Sequence, residues 1–158
     1  MFIISRCLVG VNCKYNGGNN RNENVLEFCR HHSVFTVCPE SAAGLPRPRP
    51  PAEYQKTLDR DGTMQDCIID KEGKNLTVPF KKGAEKSLFD AIQEARLRGE
   101  VIEGAILKKN SPSCGYGAIY DGTFQGNLIT GDGVFAAMLR KMEIPVYNEN
   151  SEYILNKK

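Results

Sequence analysis

The stretch GAILKKNSPSCGYGAIYDGTF, residues 104–124, joins a short apolar run to a polar loop that contains a cysteine. The run from Gly104 to Leu107 is typical of a buried strand. It is followed by residues that favour turns: Asn110, Ser111, Pro112, Ser113, Cys114 and Gly115. Packing is the usual reason for a cysteine in a globular domain, and it does not explain Cys114 in such a loop. The sequence therefore indicates a functional role for Cys114.

The same order of apolar strand and polar loop recurs along the chain. Strands are predicted at 2–5, 33–37, 65–70, 104–107 and 144–148, and helices at 23–32, 78–99 and 131–142. The segment 38–55 is rich in proline and is predicted to be a loop. Asp121-Gly122 predicts a two-residue turn within a β-hairpin near residues 117–128. The alternation predicts an α/β fold: one domain over residues 1–158, with helices flanking a mostly parallel sheet.

The composition is that of an ordinary globular protein. The chain has 158 residues, of which 41% are hydrophobic and 25% charged, so it is not of the disordered class. A net charge of +2 neither requires nor excludes a nucleic-acid partner. No apolar run approaches the ~20 residues that span a bilayer, and the N-terminal run is too short for a signal peptide. We therefore expect a cytoplasmic protein with no membrane segment, and the sequence leaves its oligomeric state open.

Cysteine is the residue type that carries most of the functional information. The six cysteines are Cys7, Cys13, Cys29, Cys38, Cys67 and Cys114. Without a secretion signal, a metal, a cluster or catalysis is favoured over disulfides, and no pair has the C-x-x-C spacing of a zinc ribbon. Cys29 and Cys67 fit the apolar periodicity of a helix and a strand, so we expect them to be packing residues. Cys13 shares a loop with Cys7, and its role is left open.

Three of the cysteines each follow a predicted strand: Cys7, Cys38 and Cys114. In parallel sheets ligands bind beyond the carboxyl ends of the strands, so we expect these three thiols to lie in one cleft. Three thiolates can hold zinc with an open fourth position. They can also hold three irons of a [4Fe–4S] cluster and leave one iron without a protein ligand. The residues themselves do not choose between these two sites.

Four motifs resemble the domain-of-unknown-function family 523, which includes bacterial thiouracil desulfurases. They are SRCLVGVNCKYNGG, VCPESAAGLPRPRPPAE, LKKNSPSCGYGAIYDGTF and GDGV, and they extend over about residues 4–147 in the order found in that family. The resemblance implies a [4Fe–4S] cluster bound by Cys7, Cys38 and Cys114. It also implies the non-redox removal of sulfur from a thiolated pyrimidine. Glu40 and Ser111 match residues that are implicated in catalysis in the family.

The implied chemistry suits these residues. An iron with an open coordination position is a Lewis acid for a soft thiocarbonyl sulfur. Glu40 follows Cys38 closely, so its carboxylate is expected near the site, where it can handle the proton of water or of a ring nitrogen. The alternative for Glu40 is a solvated loop acid. Ser111 can hydrogen-bond the base or the leaving sulfide, or only form a turn before Pro112.

Other polar residues have more ordinary interpretations. Arg47 and Arg49 either bind a phosphate or belong to a solvated, polyproline-like segment. His31 and His32 end a predicted helix and complement its negative end, so we do not expect them to bind a metal. Asp132 is predicted to cap the last helix.

Two other functions are compatible with the sequence. One is a zinc- or other metal-binding module that contacts nucleic acid, and the other is a hydrolase or transferase with Cys114 as its nucleophile. Metal analysis of anaerobically purified protein separates the three: about four irons for the cluster, stoichiometric zinc for the module, and active metal-free protein for the nucleophile. For a desulfurase, the sequence does not distinguish a free base, a nucleoside or tRNA as the substrate.

Overall fold

The computed structural model describes residues 1–58 and 60–155. The strands in this part of the chain are β1 (Phe2–Ser5), β2 (Val34–Val37), β3 (Ala52–Leu58), β4 (Met64–Asp70), β5 (Gly104–Leu107), β6 (Ala118–Tyr120), β7 (Leu128–Thr130) and β8 (Val146–Asn148). The helices are α1 (Glu23–His31), α2 (Pro39–Ala42), α3 (Thr77–Arg98), α4 (Val134–Lys141) and α5 (Glu152–Leu155), and a 3-10 turn covers Arg6–Val9. The central sheet is parallel and has the order β2-β1-β5-β8.

Helices cover both faces of this sheet, as its apolar strands require. Side chains alternate along a strand, so Ile3 and Leu107 point to one face and pack with residues of α3 and α4. Phe2, Ile4 and Ile106 point to the other face and pack with residues of α1 and α5. These strand residues are buried, which is the usual state of a parallel sheet. The prediction of an α/β fold with a mostly parallel sheet is confirmed.

The position of β1 inside the sheet creates a crevice. The chain passes from β1 to β2 on one side and later enters β5 on the other side, so the loops after β1 and β5 diverge. Ser5 at the end of β1 is paired with Val37 at the end of β2, and the Ser5 hydroxyl accepts a hydrogen bond from the backbone N–H of Lys108 (3.0 Å). The three strands therefore end at the same level.

The proline-rich segment differs from the prediction of a loop over 38–55. It begins with α2, whose first residue, Pro39, occupies a helical position where a missing N–H costs nothing. Its prolines end at Pro51, and the residues that follow form β3, which pairs antiparallel with β4 from Ala52–Asp70 to Leu58–Met64. The prediction of a continuous loop over 38–55 was therefore wrong.

The short helix α5 has no counterpart in the prediction, because four residues are too few to give a periodic signal.

The hairpin near residues 117–128 forms from β6 and β7, but its turn is longer than two residues. The connecting loop covers residues 121–127. Asp121 accepts a hydrogen bond from the N–H of Thr123 (2.9 Å), whereas the N–H of Gly122 donates to Glu53 in β3. A tertiary contact has thus replaced the two-residue turn that Asp121-Gly122 predicts.

The predicted cap of the last helix is also different. Gly133 holds the N-cap position of α4, with no side-chain cap, whereas the Asp132 carboxylate accepts the N–H of Gly117 (2.8 Å) and pairs with Arg140 (2.6 Å). Asp132 therefore connects β6 to α4 instead of capping it. Among the described residues, no helix combines the length and the apolar character that crossing a membrane requires.

Close packing of α2 on α3 depends on Gly83, which has no side chain. A Cβ atom at Gly83 would lie 2.0 Å from the carbonyl oxygen of Pro39. Since Pro39 is followed in α2 by Glu40, this contact helps to set the position of the Glu40 carboxylate.

Gly83→Ala is expected to destabilise the protein, although alanine has the higher helix propensity by about 1 kcal/mol. The new methyl group would meet a backbone oxygen that cannot rotate away, and overpacking an interior costs about 1–3 kcal/mol or more. Denaturant titration should therefore show a lower free energy of unfolding. Gly18→Ala is the control, since its nearest contact is the Asn16 side chain at 3.2 Å. An unchanged stability of Gly83→Ala would contradict the close approach of the two helices.

Candidate active site

A cavity of about 460 Å³ opens at the carboxyl ends of β1, β2 and β5. Four of the six cysteines line this cavity, namely Cys7, Cys13, Cys38 and Cys114. Cys29 and Cys67 do not line it. Glu40 and Ser111 line the same cavity. The structure thus brings together all five residues that the sequence analysis singles out for the site, and it adds Cys13.

Three of these cysteines are placed by the strands that they follow. Cys7 lies in the 3-10 turn directly after β1, and Cys38 follows β2 and forms the N-cap of α2 with extended backbone. Cys114 lies in the loop after β5 and is only 6% exposed. Cys13, at 2% exposed, belongs to the longer loop that follows Cys7. All four thiols are free.

Cys13 lies beside Cys38 and Cys7, and Sγ of Cys38 donates to the backbone carbonyl oxygen of Cys13 (3.9 Å). Hydrogen bonding with the other two thiols raises the pKa of Cys13. The same bonds lower the pKa of Cys7 and lower the pKa of Cys38 to about 6, against the opposing effect of burial. The thiolate is the form of cysteine that binds metals. The lowered pKa values of Cys7 and Cys38 suit metal binding by these two thiols.

Cys114 has a different environment. Burial raises the pKa of the Cys114 thiol well above its ordinary value, although a hydrogen bond to Ser5 opposes the effect. Activated cysteine nucleophiles have lowered pKa values and lie in electropositive, partly exposed places. The geometry therefore does not favour Cys114 as a nucleophile that acts alone.

Glu40 is held by two partners and is not a solvated loop acid. Its Oε2 accepts hydrogen bonds from Nε (3.0 Å) and Nη2 of Arg49, and its Oε1 accepts one from Oγ of Ser113 (3.0 Å). The side chains of Glu40 and Arg49 are 17% and 5% exposed, so the ion pair is largely removed from water. A carboxylate has about four acceptor sites. One site on Oε1 is therefore left for a molecule in the cavity.

The two arginines of the proline-rich segment bind the protein itself. Besides pairing with Glu40, Arg49 donates to the carbonyl oxygens of Pro46 (3.1 Å) and Cys13 (3.4 Å). Arg47 donates to the carbonyl oxygen of Asn12 (2.8 Å). These bonds fasten the proline-rich segment to the loop that carries Cys13. The geometry does not favour the use of these arginines to bind a phosphate.

The two serines of SPSCG have distinct contacts. Oγ of Ser111 accepts hydrogen bonds from the backbone N–H groups of Ser113 (3.1 Å) and Cys114 (3.2 Å), so Ser111 shapes the turn. A hydroxyl accepts two bonds and donates one, so the hydrogen of Ser111 remains able to donate. Ser113, at 2% exposed, is the serine that donates to Glu40. The sequence analysis does not identify this role, and the only signal for it is its place beside Cys114.

A second buried carboxylate supports the loop after β5. Glu149, at 6% exposed, pairs with the ammonium of Lys108 and accepts the backbone N–H of Lys109 (2.8 Å). Lys108 lines the cavity, and its charge is one of the smaller contributions that lower the pKa of Cys7. The sequence analysis does not identify this pair, because its members come from the ends of two different strands.

The thiols of Cys7, Cys38 and Cys114 come from three adjacent strand ends and share one cavity. Three such thiolates are a donor set for a metal or for an iron–sulfur cluster. Within residues 1–58 and 60–155, no group of three or more His, Cys, Asp or Glu side chains is arranged to hold one metal ion.

Comparison with known proteins gives matches over nearly the whole chain. The family model described as 2-thiouracil desulfurase matches residues 2–151. The Bacillus subtilis (strain 168) protein YbbK, described as uncharacterized, is 37% identical over 153 residues, which cover 95% of this chain and 96% of YbbK. Among solved structures, the [4Fe-4S]-dependent thiouracil desulfidase TudS, a DUF523 protein, is similar with a TM-score of 0.74 and 34% identity. That match covers 94% of this chain and 90% of TudS.

Proposed function

Because the chain belongs to the 2-thiouracil desulfurase family, we propose that it is a [4Fe–4S]-dependent desulfidase that acts on a thiouracil-type pyrimidine. The reaction replaces the thiocarbonyl sulfur by the oxygen of water and releases sulfide. The observation that carries the proposal is the cavity in which the thiols of Cys7, Cys38 and Cys114 meet the carboxylate of Glu40. The similarity to TudS, whose name states both the cluster and the activity, supports it further.

In this proposal Cys7, Cys38 and Cys114 hold the cluster. When bound, the cluster supplies an iron without a protein ligand, which is a Lewis acid for the soft sulfur of the substrate. Cys13, which lies beside Cys7 and Cys38, is assigned to hydrogen bonding with these ligands. Such outer hydrogen bonds orient ligands and tune a metal centre.

Glu40 is the residue that handles the proton of the attacking water. Arg49 and Ser113 fix its carboxylate, and one acceptor site of Oε1 remains for water in the cavity. Water loses one proton to this oxygen as its own oxygen bonds to the ring carbon, and the carbon–sulfur double bond becomes a single bond. This bond then breaks as the carbon–oxygen double bond forms. The proton on Glu40 and the second proton of water leave with the sulfur as hydrogen sulfide, which restores the carboxylate. The Ser111 hydroxyl, whose oxygen already accepts two backbone N–H groups, donates a hydrogen bond to the base or to the leaving sulfide.

The size of the cavity indicates which form of the thiolated pyrimidine the protein accepts. A cavity of about 460 Å³ is within the range of roughly 300–1,000 Å³ for small-molecule sites, which suits a free base or a nucleoside better than tRNA. We treat residues 1–158 as one domain of this family. Free thiols and an oxygen-sensitive cluster require a reducing compartment, so we propose a cytoplasmic location.

Single replacement of Cys7, Cys38 or Cys114 by serine is expected to abolish cluster binding, because each thiolate would hold its own iron. Iron analysis and the visible spectrum after anaerobic reconstitution measure the effect. Cys29→Ala and Cys67→Ala are matched controls outside the cavity and should keep the iron content of the unmodified protein, as should Cys13→Ala. Loss of the cluster in Cys13→Ala, together with its retention in one of the three serine variants, would show that the ligand set is wrong.

Glu40→Gln is expected to lower turnover of thiouracil by about 10²–10⁴-fold, since the amide keeps the shape of the side chain but cannot accept the proton. Uracil release by the reconstituted variant measures turnover, and its iron content and spectrum should equal those of the unmodified protein. Glu27→Gln, the same change on the outer face of α1, is the control. Near-normal turnover of Glu40→Gln would remove Glu40 from the mechanism.

A further inference from the structure

Phe124 has a backbone conformation that bulky residues rarely adopt. Its φ is +57°, in the left-handed region where a side chain crowds the backbone. The residue is half-buried and lines the active-site cavity, yet it belongs to none of the core clusters of the described residues. Packing of the core therefore does not explain an aromatic residue at this strained position.

The strained conformation is maintained by a buried carboxylate. Oε2 of Glu53, a residue of β3 that is 8% exposed, accepts the backbone N–H groups of Gly122 (3.0 Å) and Phe124 (3.0 Å). Hydrogen bonds to an ionised acceptor are stronger than neutral ones. Gln55, also in β3, donates to the carbonyl oxygen of Gly122 (2.8 Å). The loop 121–127 is thus fastened to β3 from both sides of Gly122.

Gly122 has no side chain, which lets the loop 121–127 lie close to β3. A Cβ atom there would lie 2.3 Å from the carbonyl oxygen of Tyr54, so the loop lies directly on the backbone of β3. Because Glu53 also lines the cavity, the contact that fixes the loop lies at the wall of the site itself. Phe124 is therefore presented to the cavity by a rigid support.

The other aromatic residues of the cavity wall have different surroundings. Phe80 is 2% exposed and belongs to a core cluster with Ile68 and Leu76. Tyr15 is 42% exposed, and the ammonium of Lys14 lies 6.0 Å from the centre of its ring. Tyr120 is half-buried at the end of β6 and is the alternative to Phe124.

We propose that Glu53 and Phe124 form an aromatic clamp, in which Glu53 fixes the backbone of Phe124 and the ring of Phe124 is the surface on which the pyrimidine ring of the substrate stacks. The inference rests on the proposed function. Phe124 is then a binding residue that selects planar rings, and Glu53 is a positioning residue. Stacking on an aromatic side chain accepts any base, because every base has a π-face. Phe124 therefore selects substrates that have a planar ring, and the reaction at the thiocarbonyl group selects those that carry sulfur.

A tryptophan at position 124 gives a direct test, because the chain contains no tryptophan of its own. In anaerobically reconstituted Phe124→Trp, uracil, the product of the proposed reaction, should quench the fluorescence saturably by stacking on the indole. Phe89→Trp, at a 61% exposed position of α3 outside the cavity wall, is the control and should show no saturable quenching. If equilibrium dialysis shows that uracil binds Phe124→Trp but the fluorescence does not change, the clamp is overturned.

Steady-state kinetics test the same residue with thiouracil. Phe124→Ala should raise KM about five- to 150-fold, the range of one stacked base, with kcat within about threefold of the unmodified value. Phe124→Tyr should retain most of the affinity. The assignment would be rejected if Phe124→Ala changed only kcat. It would also be rejected if Tyr120→Ala raised KM and Phe124→Ala did not.

The role of Glu53 is tested by a double-mutant cycle. Glu53→Ala should raise KM as Phe124→Ala does, and the double variant should show no further rise, because both changes remove one element. Glu53→Gln keeps an acceptor oxygen and should give a smaller rise, which also provides the test if Glu53→Ala does not fold. Additive rises in KM would contradict the positioning role. A chain that binds and stacks uracil but releases no sulfide from thiouracil would keep the clamp and reject the proposed function.

Discussion

The ion pair between Glu40 and Arg49 connects the separate parts of the cavity. Arg49 also donates to the carbonyl oxygen of Cys13, and Glu40 accepts the hydroxyl of Ser113. Segments that follow β1, β2 and β5 thus share one network, most of it out of water. Breaking a buried ion pair costs about 3–5 kcal/mol, because it leaves one charge without a partner. Both members of the pair follow β2, and each of the other two segments is joined to it by a hydrogen bond. A buried group that loses its partner costs about 1–3 kcal/mol, so these bonds hold the walls of the cavity together.

The sheet positions the cysteines of this site, and the packing of α2 on α3 positions Glu40. The parallel strands end at one level and bring Cys7, Cys38 and Cys114 to the same edge. The contact of Pro39 with Gly83 then sets the distance of α2 from α3, and with it the position of Glu40. A rigid scaffold with a supported set of side chains is the arrangement that a precise site needs. The loop 121–127 closes another wall by the same means, a buried carboxylate that binds backbone N–H groups.

The parts of the fold that local sequence determines could be predicted, and those that depend on distant contacts could not. Apolar runs and helical periodicity identify the strands of the central sheet, α1, α3 and α4, because burial of those residues leaves a local pattern. The length of the hairpin loop could not be predicted, since Gly122 bonds to Glu53 across the fold. The same holds for Asp132, whose partners are Gly117 and Arg140.

The site shows the same division. Strand order places three thiols and Glu40 at one edge before any coordinates are known, whereas the position of Cys13 between Cys7 and Cys38 depends on how a long polar loop folds back. Ser113 and Arg49 become partners of Glu40 only through tertiary packing. The family resemblance adds the cluster and the reaction, which residue types alone leave open between zinc and iron.

The strand ends that form the site are far apart in the sequence, so the site is completed only late in folding. Ser5 and Lys108 are 103 residues apart in the chain, yet they are hydrogen-bonded and both line the cavity. During synthesis the first two cysteines of the proposed ligand set leave the ribosome well before the third, and a site closed over such a loop forms only when β5 has docked beside β1. In the proposed function, the complete ligand set for the cluster therefore exists only once the chain has folded, and a nascent chain that ends before residue 114 lacks one of its three thiols.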